Sequence, residues 1–177
     1  MVNKNLKVAV LGAGAMGCLF GGLLAEKGLD VVLIDVWKDH VDEINNKGLK
    51  MMGHGGDRTV KIKATTDPKT LQPVDAIIIM CKATALEKAL TNSKNIIGDK
   101  TMLMSFQNGI GHEEIMQNIA GKDKVLGGST TQASMIQLKD DIKTLGDFKA
   151  TIDLHSEVQV QIKIQVIPAE SDRKSVV

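Results

Sequence analysis

Unbroken apolar runs alternate with amphipathic stretches along most of this chain, which indicates strands alternating with helices. The predicted strands span 6–11, 30–35, 59–64, 75–81, 101–106 and 125–131. The predicted helices span 15–28, 38–47, 83–92 and 111–120. Continuous apolar runs are typical of parallel strands that are buried on both faces. The pattern therefore predicts an α/β fold with a doubly wound, Rossmann-type parallel sheet.

The end of the chain follows a different pattern. Apolar and polar residues alternate strictly from 157 to 166, which predicts a half-buried strand, and a polar tail follows Pro168. This strand either completes a sheet of its own chain or offers an edge to a partner or a second copy. We therefore divide the chain into a domain at 1–150 and a divergent strand and tail at 151–177.

The junction between the first strand and the first helix carries the sequence Gly12-Ala13-Gly14-Ala15-Met16-Gly17, which has the spacing GxGxxG. In dinucleotide-binding folds the first glycine permits a tight turn, and the second lets a pyrophosphate approach the backbone. The third lets the helix pack closely against the strand. Free N–H groups at the helix start, together with the helix dipole, then face the phosphates.

The second strand ends at Asp35, about 20 residues beyond the glycines, where dinucleotide-binding folds place an acid that binds the ribose 2′-hydroxyl. We therefore predict a dinucleotide site. The alternative is a glycine-rich turn between packed elements, with Asp35 capping the following helix.

Composition and charge limit the classes of ligand that we expect. The chain has 177 residues, 43% of them apolar, and a net charge of +1, which gives no electrostatic case for nucleic acid or an anionic membrane. No apolar run reaches the length of a bilayer span, and no signal peptide is recognisable, so we expect a cytoplasmic protein. We expect Cys18 and Cys81 to be reduced and to pack in the interior as small apolar residues. Metal binding is not expected, because the histidines are scattered at positions 40, 54, 112 and 155.

Polar residues follow several predicted strands, where ligands bind in open parallel sheets. Lys82, Asn108 and Thr130 join Asp35 at these positions. Lysine suits a phosphate, ribose hydroxyl or carboxylate, and asparagine offers a donor and an acceptor together. Alternatively, Lys82 is a solvated residue at a helix start, and Asn108 belongs to an ordinary turn.

Taken together, these motifs resemble the ketopantoate reductase (2-dehydropantoate 2-reductase) family over about residues 6–150, the cofactor domain. The motifs that carry the resemblance are the glycine segment, 34–37 running into His40, 80–82, 107–109 and 128–133. The resemblance implies reduction of a small 2-oxo acid, typically ketopantoate, with a nicotinamide cofactor that is usually NADPH. It also implies that Lys82 and Asn108 lie beside the nicotinamide ribose and the substrate, and that Ala133 marks the wall of the cofactor cleft.

The chain departs from the family at the end of the second strand. Many members have an arginine there for the 2′-phosphate of NADPH, whereas this chain has Val36 after Asp35. A carboxylate repels a phosphate, although Lys38 can offset part of that repulsion. The sequence therefore favours NAD over NADP, as in the branch that is similar to D-2-hydroxyacid and D-mandelate dehydrogenases.

A second departure lies after residue 150. The family's general-acid lysine sits on a helical C-terminal domain whose motifs do not follow here, so we assign no catalytic residue. We expect a truncated reductase with little activity alone, and the strand at 157–166 is a candidate contact for homo-oligomers. The alternatives are a non-catalytic dinucleotide-binding module and a defective fragment.

Overall fold

The computed structural model describes residues 6–53, 56–107, 111–128, 135–137, 146–155 and 158–166. The first eight strands are β1 Lys7–Leu11, β2 Asp30–Ile34, β3 Leu49–Gly53, β4 Arg58–Val60, β5 Lys63–Thr65, β6 Val74–Ile79, β7 Ile97–Ser105 and β8 Val125–Gly127. Three more strands follow, β9 Met135–Gln137, β10 Gly146–His155 and β11 Val158–Val166. The helices are α1 Ala15–Glu26, α2 Lys38–Lys47, α3 Leu86–Asn92 and α4 His112–Ala120.

Six strands form the parallel sheet that the apolar runs predict. Their order is β5-β2-β1-β6-β7-β8, and every pairing within the sheet is parallel. The chain leaves β1 toward β2 on one side and reaches β6 on the other. The order of the strands therefore reverses beside β1, and open α/β sheets bind ligands at that crevice.

Alternate residues of β1 pack in two hydrophobic cores, one on each face of the sheet. Val8 and Val10 pack in the core that α1 and α2 cover, whereas Ala9 and Leu11 pack in the core beneath α3 and α4. The division follows from the two-residue period of a strand, which sends successive side chains to opposite faces. The fold is thus a doubly wound α/β sheet, as predicted.

The element boundaries differ from prediction in several places. Helix α1 ends at Glu26 rather than at 28, because Gly28 adopts a φ of +87° that ends the helix. The predicted helix over 83–92 begins as a 3₁₀ turn at Ala83–Ala85 before α3. Strand β7 starts at Ile97, four residues before its predicted start.

The predicted strand over 59–64 is wrong as a single element, because its two halves pair in different sheets. Strand β4 pairs with β3, whereas β5 pairs with β2 in the parallel sheet. Val60, Ile62 and Ala64 all remain in the core on the α1 and α2 face. Burial of alternate residues is thus common to both halves, but it does not determine which strand supplies the hydrogen bonds.

The C-terminal strands build a second sheet of order β4-β3-β11-β10-β9, with antiparallel pairing. Strand β11 confirms the strand predicted from alternation at 157–166. It pairs with β10 along its length and with β3 at Val158 and Gln159, so it completes a sheet of its own chain. Strand β10 runs across residue 150, where we placed a domain boundary, and that division stays a prediction.

Candidate cofactor-binding site

The glycine segment forms a tight turn between β1 and α1. Gly12 has a φ of +103°, and a Cβ there would lie 2.5 Å from the backbone nitrogen of Cys81, just beyond β6. Its N–H donates to the carbonyl of Ile34 at 2.8 Å. The turn is therefore fixed against both neighbours of β1, and only glycine satisfies its dihedral angle and its close contact.

The other two glycines of the motif differ in their surroundings. A Cβ on Gly17 would lie 1.9 Å from the carbonyl oxygen of Gly12, so a glycine here lets α1 approach the turn. A Cβ on Gly14 would meet nothing within 4 Å, and Gly14 is exposed while Gly12 and Gly17 are buried. Gly14 therefore faces open space at the start of α1, where the motif places the pyrophosphate.

The start of α1 is suited to an anion. Gly14 occupies the N-cap position without a side-chain hydrogen bond, and the first turn carries no acidic residue. The first N–H groups of a helix lack partners within the helix, and the helix dipole adds partial positive charge there. A phosphate is the ligand that such a terminus favours.

Asp35 binds the glycine turn directly. Its Oδ2 accepts a hydrogen bond from the N–H of Ala13 at 2.7 Å, and its Oδ1 accepts one from the N–H of Trp37 at 3.0 Å. Helix α2 has Trp37 at its N-cap and no side-chain cap bond, so Asp35 does not cap that helix. Each carboxylate oxygen has a second lone pair, and Asp35 is half-buried, which leaves acceptor capacity for a hydroxyl.

His40 and Cys18 hold the same turn from the other side. The Nε2 of His40 lies 2.9 Å from the carbonyl oxygen of Ala13, and the Sγ–H of Cys18 donates to that oxygen at 3.1 Å. Cys18 lies in the interior as predicted, whereas no separate role was predicted for His40. Its position four residues before the buried Ile44 is the signal that points it toward the sheet.

Burial raises the pKa of the Cys18 thiol from its ordinary 9.0 to about 12, and the nearby charge of Asp35 adds to that rise. Burial and, to a lesser extent, Asp35 also raise the pKa of the Cys81 thiol. Both cysteines are free. At neutral pH both are protonated, so Cys18 keeps the hydrogen that it donates to Ala13.

The neighbouring strand ends are tied to the glycine turn. Beyond β6, Met80 donates to the carbonyl of Leu11 at 2.9 Å, and Cys81 contacts Gly12 as described. The Nε2 of Gln107, beyond β7, donates to the carbonyl oxygen of Cys81. These contacts bring the carboxyl ends of three adjacent strands together at one edge of the sheet.

Lys82 is exposed at this edge, next to Cys81 and ahead of α3. Its surroundings fit both interpretations from the sequence, a ligand contact and a solvated residue. The predicted positions Asn108, Thr130 and Ala133 lie outside the described residues. The structure thus brings together the glycine segment, Asp35 and the end of β6.

The residues between Asp35 and α2 carry no positive charge. Val36 is 94% exposed, and Trp37 is 43% exposed and stacks on His40 with ring centroids 5.3 Å apart. The Nζ of Lys38 forms an ion pair with Asp42 one turn along α2. Lys38 thus already has an anionic partner on its own helix.

A cleft of about 560 Å³ lies at the opposite end of the parallel sheet. Asp30 at the start of β2, Lys63 at the start of β5 and Lys47 at the end of α2 line it. None of the predicted cofactor- or substrate-binding residues lines this cleft. Among the residues with described side chains, no three potential metal ligands come together, and no described helix is long and apolar enough to cross a bilayer.

Comparison with known proteins matches residues 8–157 to the family described as ketopantoate reductase PanE/ApbA. A 2-dehydropantoate 2-reductase of Pyrococcus abyssi is 40% identical over 153 residues, which cover 86% of this chain and 49% of that protein. The Lactococcus lactis enzyme of the same name is 29% identical over 94% of this chain and 54% of its own length. The chain thus spans about half the length of the curated relatives it matches.

Solved structures of related proteins share the fold of this chain. A ternary structure of D-mandelate dehydrogenase with NADH and anilino(oxo)acetate has a TM-score of 0.69 and 35% identity, covering 73% of this chain and 42% of that one. A PanE/ApbA family ketopantoate reductase from Ralstonia eutropha has a TM-score of 0.63 and 28% identity, covering 78% and 44%. The family model covers most of the chain, and the fold agrees with these relatives, so the chain belongs to the ketopantoate reductase family.

Proposed function

We propose that this chain binds a nicotinamide dinucleotide at the carboxyl edge of its parallel sheet, as the cofactor domain of a ketopantoate reductase-type oxidoreductase. The observation that carries the proposal is the exposed Gly14 at an uncapped helix start, on a turn that Asp35 holds. The substrate class is a small 2-oxo acid such as ketopantoate. The cofactor supplies the hydride when bound, and the protein supplies position and charge.

In this proposal the backbone of Gly12–Gly17 holds the pyrophosphate, and Asp35 binds the adenosine ribose. Gly14, Ala15 and Met16 provide N–H groups at the start of α1, where no side chain competes for them. The carboxylate of Asp35 accepts from a 2′-hydroxyl through its remaining lone pairs. The first interaction uses only backbone groups of the turn, whereas the second depends on the side chain of Asp35.

Asp35, Val36 and Lys38 together favour NAD over NADP. A carboxylate about 4 Å from a phosphate costs about 4 kcal/mol per unit charge at an effective dielectric constant near 20. Val36 offers no counter-charge, and Lys38 is paired with Asp42. The structural relative D-mandelate dehydrogenase was solved with NADH, which supports the same preference.

Lys82 and Asn108 are proposed to contact the 2-oxo acid and the nicotinamide ribose, with Ala133 at the wall of the cleft. Exposure of Lys82 beside the tied ends of β6 and β7 is compatible with that task. The relative solved with anilino(oxo)acetate holds an oxo-acid derivative, which supports this substrate class. We propose no catalytic residue in this chain, and we keep residues 1–150 as the cofactor domain of a cytoplasmic protein.

A second candidate is a dinucleotide-binding module without turnover. The observation that favours it is that the described residues after Gly128 form strands β9, β10 and β11 and contribute no helix. The described residues after Gly128 thus supply no helix on which a general acid could lie. A general acid typically accelerates such steps by about 10²–10⁴-fold.

Fluorescence and turnover measurements test both candidates on the 177-residue chain. Trp37, the only tryptophan, lies two residues beyond Asp35, so cofactor binding should quench it. We expect saturable quenching at lower concentrations of NADH than of NADPH. Oxidation of NADH by ketopantoate would favour the reductase, binding without oxidation would favour the module, and absence of binding would reject both.

A further inference from the structure

We infer that His40 is a positioning residue that orients the peptide between Ala13 and Gly14, so that the Gly14 N–H faces the cofactor phosphates. The orientation of this peptide follows from the structure alone, whereas its effect on phosphate binding rests on the proposed function.

The hydrogen bond from His40 has only one possible direction. A carbonyl oxygen accepts and cannot donate, so we assign to His40 the tautomer whose Nε2–H donates to Ala13 across 2.9 Å. The Sγ of Cys18 lies 3.6 Å from the same Nε2. Cys18 also donates to this oxygen at 3.1 Å, but a thiol is a weak donor. His40 is therefore the stronger of the two side chains that hold the Ala13 carbonyl.

The position of the imidazole is itself fixed. Its ring stacks on Trp37 with an interplanar angle of 25°, and α2 carries both residues in its first turn and N-cap. The N–H of Val41 donates to the carbonyl of Trp37 at 3.1 Å, which closes that first turn. The hydrogen-bond donor thus reaches Ala13 from a packed ring on a regular helix.

The contact at the Ala13 carbonyl determines where the next N–H points. No cis peptide bond is present in the described backbone, and the C=O and N–H of a trans peptide point in opposite directions. Drawing the Ala13 oxygen inward to His40 and Cys18 therefore directs the Gly14 N–H outward, to the side where Gly14 is exposed. That is the side on which an anion would approach the start of α1.

A restraint is needed because this peptide precedes a glycine. Gly14 can adopt both signs of φ at little cost, so rotation of the Ala13–Gly14 peptide would meet little resistance from Gly14 itself. Rotation would turn the carbonyl oxygen toward the phosphates, where it would repel them. Asp35 holds the preceding peptide through the Ala13 N–H and leaves this second peptide to His40.

Two variants separate the hydrogen bond from packing. His40→Phe keeps an aromatic ring against Trp37 without a donor, whereas His40→Gln offers an amide Nε2 at the same number of bonds from Cβ. Asp39→Ala, an exposed change on the same turn of α2, is the matched control. The readouts are the ¹⁵N–¹H resonance of Gly14 without ligand, the Kd for NADH and the thermal midpoint.

We expect His40→Phe to shift the Gly14 resonance and to weaken NADH binding on the order of tenfold, the usual scale of one lost hydrogen bond. His40→Gln should stay within about threefold of the parent chain, since it restores the donor. An unchanged Gly14 resonance and Kd in folded His40→Phe would overturn the inference, and so would equal losses in both variants. If the parent chain fails to bind NADH, the proposed function fails, and the Gly14 resonance still decides the role of His40.

Discussion

The N–H of Ala13 donates to the carboxylate of Asp35 at 2.7 Å, across 22 positions of the sequence. The residue at the end of β2 thereby holds the turn that follows β1. In the proposed function the same carboxylate also binds the adenosine ribose. Cofactor preference and the shape of the phosphate-binding turn therefore depend on one side chain.

Replacing Asp35 with asparagine should weaken NADH binding on the order of tenfold, because an amide accepts at one oxygen only. Its NH₂ group would face either the Ala13 or the Trp37 N–H. Calorimetric titration with NADH measures the change, and Asp39→Asn is the exposed control. Unaltered affinity in Asp35→Asn would show that the carboxylate contributes to neither the turn nor the ribose.

Introducing arginine at position 36 should shift preference toward NADPH. Val36 is 94% exposed, so Val36→Arg should change the free energy of unfolding by less than about 0.5 kcal/mol. The added guanidinium offers a partner for the 2′-phosphate, and we expect the ratio of the Kd values for NADPH and NADH to fall about tenfold. Val36→Gln, which is polar but uncharged, should leave the ratio unchanged. An equal effect of both substitutions would argue against a phosphate contact at this position.

Two glycines of the same turn should differ in how strongly alanine destabilises the fold. A Cβ at Gly17 meets the backbone oxygen of Gly12, so Gly17→Ala should lower the free energy of unfolding by about 3 kcal/mol. Gly14 has a φ of −68° and free space around it, so Gly14→Ala should cost about 1 kcal/mol or less. Urea unfolding compares the two. Equal destabilisation would contradict the geometry of the turn.

The Cys18 thiol should make the fold sensitive to alkaline pH. Its folded pKa of about 12 exceeds the ordinary value of 9.0, so only the unfolded chain loses this proton between those values. The stability that the protonated thiol contributes is complete below pH 9 and is lost as pH rises toward 12. The slope reaches about 1.4 kcal/mol per pH unit at most.

Urea unfolding of the parent chain and of Cys18→Ala at pH 8, 9, 10 and 11 isolates that contribution. The difference in unfolding free energy between the two chains should shrink with rising pH. Lysines that titrate in the same range are common to both chains and cancel in the comparison. A difference that stays constant from pH 8 to 11 would mean that the buried thiol does not govern this pH dependence.

The parallel sheet was predictable because buried strands must be apolar on both faces. The apolar runs that end at Leu11, Ile34 and Ile79 therefore indicated buried strands. The position of Asp35 followed from its distance to the glycines, since one strand, one helix and a second strand separate them. These features are local in sequence or fixed by the length of one β-α-β unit.

Contacts between residues far apart in the sequence were harder to predict. The antiparallel pairing of β3 with β11 joins segments more than 100 positions apart, and no local pattern specifies such a partner. The bond from His40 to Ala13 joins a helix to a turn 27 positions earlier. A polar side chain near the buried face of a helix indicates orientation, but it does not identify the carbonyl that it binds.

Titration calorimetry with NADH on the parent chain and on Gly14→Ala tests the central claim most directly. The account predicts saturable binding at one NADH per parent chain. It also predicts at least tenfold weaker binding by Gly14→Ala at a similar thermal midpoint, because the added Cβ occupies the approach of the pyrophosphate. Absence of saturable heat with the parent chain, or equal affinities of the two chains, would contradict a dinucleotide site at this turn.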